Sequence, residues 1–182
     1  MANGNNQKRD GLRILFPTLI YEGWFPNFSS IQQQLIAFNR KLREDDRKGR
    51  KESSREYSTG FTSYFFRQDL YKLPELQPLS QFLQQSANNY AQQHHWDTQN
   101  YAPTINSLWG NINSQYSFHP EHLHPYSHIS GVFYVDTPAG SPPITFKDPR
   151  VGRWMMPPTA DGARPENTFN AAVAPESGKL LM

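Results

Sequence analysis

Four of the six histidines in this 182-residue chain fall within Phe118-His-Pro-Glu-His-Leu-His-Pro-Tyr-Ser-His128. Imidazole is the commonest protein metal ligand, and its unperturbed titration lies near neutrality. His122 and His124 stand two residues apart. On an extended backbone, both side chains leave the same face and can reach one ion. His119 and Glu121 offer a competing register that brings a carboxylate, although Pro120 restricts the backbone between them. His128 is either a further ligand or the surface side of the strand that follows, and the latter is expected. The bland alternative is a polar loop of solvated histidines; the density of the cluster favours a metal.

The elements that must position this loop are short. The cluster feeds the apolar run Ile129-Ser-Gly-Val-Phe-Tyr-Val135, whose residues 130–135 are expected to form a strand. Thr104–Asn113 alternates apolar and polar residues ahead of it, while Pro143–Lys147, Ala171–Ala174 and Lys179–Met182 read as further strands. Leu12–Tyr21 reads as a strand broken by Pro17. Two helices precede the β-rich half. The first spans about 29–43, capped by Ser29 or Ser30, with Ile31, Leu35, Phe38 and Leu42 along one face. The second spans about 73–93, with Pro74 in its first turn and a stripe of Leu76, Leu79, Leu83, Ala87 and Tyr90. His94 and His95 close it as structural residues. Between Arg40 and Glu56, eight basic and five acidic residues read as a solvated loop rather than a nucleic-acid surface.

Composition narrows the class. Aromatics at 14% against 19% charged residues favour a packed fold, and fifteen prolines with eleven glycines favour many short elements joined by turns. A net charge of +2 is too balanced to imply a nucleic-acid partner. The lack of cysteine removes disulfides, thiolate metal sites and cysteine nucleophiles. No signal peptide or membrane span is visible, so a cytoplasmic protein is expected. Residues 1–11 read as a disordered tail, and 12–182 as one domain, mainly β with flanking helices.

His122-Leu-His124-Pro-Tyr-Ser-His-Ile-Ser130-Gly-Val-Phe-Tyr-Val135 resembles the His-x-His-Pro…Ser-Gly-Val-Tyr-Tyr-Val motif of a 2-oxoglutarate/Fe(II)-dependent oxygenase family. Leu15–Tyr21, Trp109-Gly-Asn-Ile-Asn113, Ile144–Arg150 and Pro175–Leu181 resemble other segments of that family in the same order. The resemblance implies a double-stranded β-helix, a cupin-like jelly roll, binding Fe(II) and the cosubstrate 2-oxoglutarate. A two-histidine, one-carboxylate facial triad would leave positions for keto acid and oxygen. The family register places the histidine ligands at His122 and His124, with His119, Glu121 and His128 as alternatives. Ser130 and Tyr134 are candidates for contact with the keto acid.

The resemblance also implies a distal histidine and a keto-acid-binding arginine after the Gly-x-Leu-Leu segment. No histidine follows His128, and Arg150, Arg153 and Arg164 stand elsewhere. The expectation is therefore a jelly roll truncated at its C-terminus and lacking its last strands. Its hydroxylase-type activity then depends on completion, by a second copy or a partner chain. The alternative is a non-catalytic jelly-roll binding or assembly module derived from that family, or a cupin-like metalloprotein using histidines alone. The substrate is not legible; loops Arg40–Phe61 and Thr137–Asn170 are where its selection is expected.

Overall fold

The computed structural model describes residues 13–56, 59–150, 152, 155, 157, 164 and 168–182. The expected N-terminal tail and Arg153 therefore lie outside the described residues. The chain divides into two compact units, Tyr21–Ser141 with Pro175–Met182, and Met1–Ile20 with Pro142–Ala174.

The first unit is built around helices and small antiparallel sheets. Strand β1 (Glu22–Trp24) is followed by a 3-10 turn at Phe28–Ser30 and by α1 (Gln32–Asp45). Helix α1 buries Leu35 and Leu42, seven residues apart on one face. No side chain caps it: the Ser30 hydroxyl donates instead to the Asn27 carbonyl, 2.8 Å away. The charged stretch after it is helical, not a loop. Helix α2 (Arg47–Glu56) starts where Asp46 Oδ1 accepts the Gly49 N–H at 2.7 Å. Such a cap satisfies an otherwise orphaned donor, and Arg, Lys and Glu favour helix once it has begun. Ser53, fully buried, then accepts the Thr62 N–H at 2.9 Å and donates to the Thr62 carbonyl at 3.2 Å. That small side chain fixes α2 against β2 (Phe61–Thr62).

A 3-10 turn at Pro74–Leu76 leads into α3 (Gln77–Gln93), which buries Leu79, Ser80, Ser86 and Ala91. The buried stripe runs beside the expected one, and Leu83, Ala87 and Tyr90 are half-buried. His94 stacks on Tyr90 with ring centres 4.2 Å apart, a packing role. β2 pairs with β3 (Asn111–Ile112), matching Phe61 to Ile112 and Thr62 to Asn111. β4 (Val132–Phe133) and β1 flank β7 (Lys179–Leu181) in a three-stranded antiparallel sheet. The last strand is thus an interior one, and all three of its residues are buried. Tyr21 and Met182 extend it by exchanging backbone hydrogen bonds of 2.8 and 3.0 Å. Phe25, Phe28, Phe82 and Phe133 meet edge-on or tilted at 5.1–6.3 Å beside the core of Phe28, Leu35, Leu42, Phe61, Leu70, Leu76 and Leu79.

In the second unit, β5 (Ile144–Lys147) and β6 (Asn170–Val173) form an antiparallel pair in register from Ile144↔Val173 to Lys147↔Asn170. Residues 13–20 form no strand: Phe16 adopts a left-handed φ of 55°, and Pro17 cannot donate to a ladder. Ile14, Leu15, Phe16 and Leu19 are exposed. No helix among the described residues is long and apolar enough to cross a membrane.

Candidate metal centre

The loop between β3 and β4 carries the histidines, and its two ends are fixed before it begins. At the β3 end, Gly110 is buried and exchanges contacts with Ser63: Ser63 donates its N–H to the Gly110 carbonyl at 3.0 Å, and the Ser63 hydroxyl accepts the Gly110 N–H at 3.1 Å. A Cβ at Gly110 would collide with the Asn39 side chain and stand 3.3 Å from Leu42. Glycine here lets the strand lie close to α1 and so aims the preceding Trp109. At the other end, Tyr134 donates its N–H to the Lys179 carbonyl at 2.9 Å and accepts from Gly178 at 2.7 Å.

Within that frame the two histidines converge. Their Nε2 atoms stand 3.0 Å apart, with ring centres at 4.9 Å. His122 Nδ1 lies 2.8 Å from the Pro120 carbonyl, which only accepts, so that nitrogen carries the proton and Nε2 presents a lone pair. His124 Nδ1 lies 3.0 Å from the Ser130 hydroxyl, which can donate or accept. His124 is therefore free to present either a proton or a lone pair to His122. Imidazole nitrogens bind first-row metals at about 2.1 Å, so two at a right angle to one ion stand about 3.0 Å apart and two at a tetrahedral angle about 3.4 Å. The observed separation is that of a hydrogen bond between the two rings, and it equals the spacing of adjacent positions on an octahedral ion.

Trp109 walls one side, edge-on to His124 with ring centres 5.6 Å apart, and Tyr64 abuts Trp109 at 5.1 Å. Partial burial, then the neighbouring His122 charge, holds His124 below the ordinary imidazole range. The same causes in the same order depress His119, whose ring centre lies 5.9 Å from that of His122. A neutral imidazole is the form that ligates.

The other sequence candidates are placed as follows. Glu121 and His128 are exposed on the same loop. Ser130 orients His124. Tyr134 is half-buried at the end of β4, and burial raises its phenol above the ordinary value, keeping it protonated. Arg150 is held by Asp148 through bonds of 2.9 and 2.7 Å within the other unit. Among the described residues, no group of three or more His, Cys, Asp or Glu side chains is arranged to hold a metal. Trp109 was legible as part of a motif but not as a wall of the site; the buried Gly110 after it is the signal in the sequence.

No curated protein matches the chain. Residues 107–182, which hold His122, His124, Ser130 and Trp109 but not Leu15–Tyr21, match the family model described as "Putative 2OG-Fe(II) oxygenase", where 2OG is 2-oxoglutarate. The resemblance carried by the histidine motif is thus the likeness of this segment to the 2OG-Fe(II) oxygenase family.

Proposed function

We propose that the chain is an Fe(II)- and 2-oxoglutarate-dependent oxygenase domain of the hydroxylase type, with His122 and His124 as two adjacent iron ligands on a jelly-roll scaffold. The convergence of their Nε2 atoms at 3.0 Å carries this reading, together with the family match of the segment that holds them. Fe(II) with the keto acid supplies oxidation of a substrate C–H bond coupled to decarboxylation. The chain's own residues orient and shield. The Pro120 carbonyl and the Ser130 hydroxyl fix the two rings through their far nitrogens, and Trp109 excludes water from one side.

The donor set fits the two-histidine part of a facial triad. The carboxylate and the keto-acid anchor then come from residues outside the pair's present surroundings, from another segment, a second copy or a partner chain. The alternative, a non-catalytic module that keeps the scaffold, rests on the lack of a three-ligand group among the described residues.

Anaerobic titration of the metal-free protein with Fe(II) and 2-oxoglutarate tests the proposal. A saturable visible charge-transfer band, absent in His122→Ala, is expected. Protein that is folded by circular dichroism yet shows neither this band nor Fe(II) binding would leave the non-catalytic module.

A further inference from the structure

Between β3 and β4 the histidine loop turns its large apolar side chains to solvent: Tyr116, Phe118, Leu123 and Tyr126 are 87%, 68%, 88% and 100% exposed. Glu121 is the one acidic residue from Asn113 to Val135. We propose that two copies of the chain pack through this loop, and that Glu121 of each copy completes the metal site at His122 and His124 of the other. The proposal rests on the oxygenase reading for the metal, and names the source of the carboxylate which that reading requires.

The ligand set is the first argument. His122 and His124 bring two nitrogen donors together, with their Nε2 atoms 3.0 Å apart. His122 is exposed and His124 half-buried, so the pair is open to a donor from outside the protomer. Within one copy, Glu121 does not join them: among the described residues, no three His, Cys, Asp or Glu side chains are placed to share an ion. Two imidazoles and one carboxylate on one face suit Fe(II) and leave the remaining positions open. In a twofold contact, a residue that meets a second residue of the other copy is met by it in return. A contact built from this loop can supply a carboxylate only through Glu121, and symmetry supplies it twice.

The turns that bracket the histidines give the second argument. The Ser117 N–H donates to the Ser114 carbonyl at 3.0 Å, and the Ser127 N–H to the His124 carbonyl at 3.3 Å. Each turn puts a tyrosine in third place with a left-handed φ, 68° at Tyr116 and 67° at Tyr126. Glycine or asparagine suits that position, and a bulky side chain there is strained. Strained residues persist where surrounding contacts hold them. Rings this far in solvent find no such contact within the protomer, and a second copy provides it.

Area is the third argument. Three rings and a leucine so exposed present on the order of 700 Å² of mostly apolar surface, at about 150–250 Å² per large ring. Each partner gives about 800 Å² to a standard stable interface. The loop thus supplies most of what a dimer needs.

Sedimentation velocity of the full chain during Co(II) titration, with visible absorption reporting the bound ion, tests this. Wild type should form a dimer carrying two Co(II). Glu121→Gln and His122→Ala change exposed residues, and circular dichroism checks their fold. Each should stay monomeric and bind Co(II) about ten-fold more weakly or worse, since even a group that only orients a ligand is felt on that scale. Mixed in equal amounts, they should regain wild-type affinity at up to one site per two chains, because a mixed dimer unites the histidines of one copy with Glu121 of the other. Leu123→Ser keeps every donor, yet should lose the dimer and the tight site together. Tight Co(II) binding by a wild-type monomer, no Co(II) binding at all, or a mixture no better than its components overturns the inference. If the keto-acid band nonetheless forms and His122→Ala abolishes it, the iron reading stands with its carboxylate drawn from elsewhere; loss of that band as well removes both.

Discussion

Ser130 Oγ sits 3.0 Å from His124 Nδ1, on the side of the ring away from His122. The hydroxyl thus fixes the orientation of the second proposed ligand while accommodating either of its tautomers. Outer partners of this kind raise ligand basicity and hold the ring against rotation. Ser130→Ala should weaken binding of a divalent ion at the pair by about ten-fold, with little change in fold stability because the site is exposed. Cobalt(II) titration followed by visible absorption checks this, and Ser130→Thr, which restores a hydroxyl, should recover most of the loss. Equal affinity in wild type and Ser130→Ala would show that the contact does not position the ring.

Stability should fall in acid through the same histidines. Folding depresses His119 and His124 below the ordinary value of 6.5. Between that value and the lower folded one, the unfolded chain binds more protons than the folded chain. Stability is therefore full above the ordinary imidazole range and declines as pH falls through it. Urea denaturation of metal-free protein on both sides of that range should show the decline, and it should be shallower in His124→Gln. A stability that is flat or rises on acidification contradicts the assignment.

Helix α3 and strands β5 to β7 were legible because their apolar spacing and turn residues stand out locally. Helix α2 was not. Its sequence, Arg47–Glu56, has no apolar stripe, and what holds it is the capping carboxylate of Asp46 and the buried hydroxyl of Ser53. The first is a local cap and the second a contact with another element, and apolar periodicity reveals neither. The segment 13–20 failed in the opposite sense, being apolar yet unpaired among the described residues, since Phe16 and Pro17 disrupt an extended ladder. At the site, His122 and His124 lie in a loop rather than on a strand, and their Nε2 atoms stand 3.0 Å apart. The role of Ser130 did not follow from spacing, because it depends on how the loop folds back over six residues.

Gly178 should resist substitution. Its φ is 88°, and an added Cβ would stand 2.8–2.9 Å from the Phe28 side chain. Its carbonyl and N–H also bond Phe25 and Tyr134, joining β1 and β4 to the turn before β7. Gly178→Ala should cost about 2 kcal/mol or more, combining left-handed strain with overpacking. Chemical denaturation measures it; a cost within about 0.5 kcal/mol, the range of a neutral surface change, would mean the turn rebuilds freely.

The last prediction concerns the cation in the central strand. Lys179 is 7% exposed in β7, yet its Nζ lies 2.9 Å from Glu22 Oε2 and 5.4 Å from the centre of the Trp24 ring. Trp24 is its register partner in β1, and Glu22 lies diagonally across the same strand pair. A buried ammonium needs a counter-charge, so Glu22→Gln should destabilise the fold by about 1–3 kcal/mol. The lower part of that range is expected because the Glu22 side chain is 39% exposed and water screens the pair. Lys179→Met keeps the stem and removes the charge, and should be near neutral. Joined in one chain, the two changes should cost less than Glu22→Gln alone, since no stranded charge remains. Strict additivity in this double-mutant cycle would mean that Trp24 and water, rather than Glu22, keep the ammonium in place.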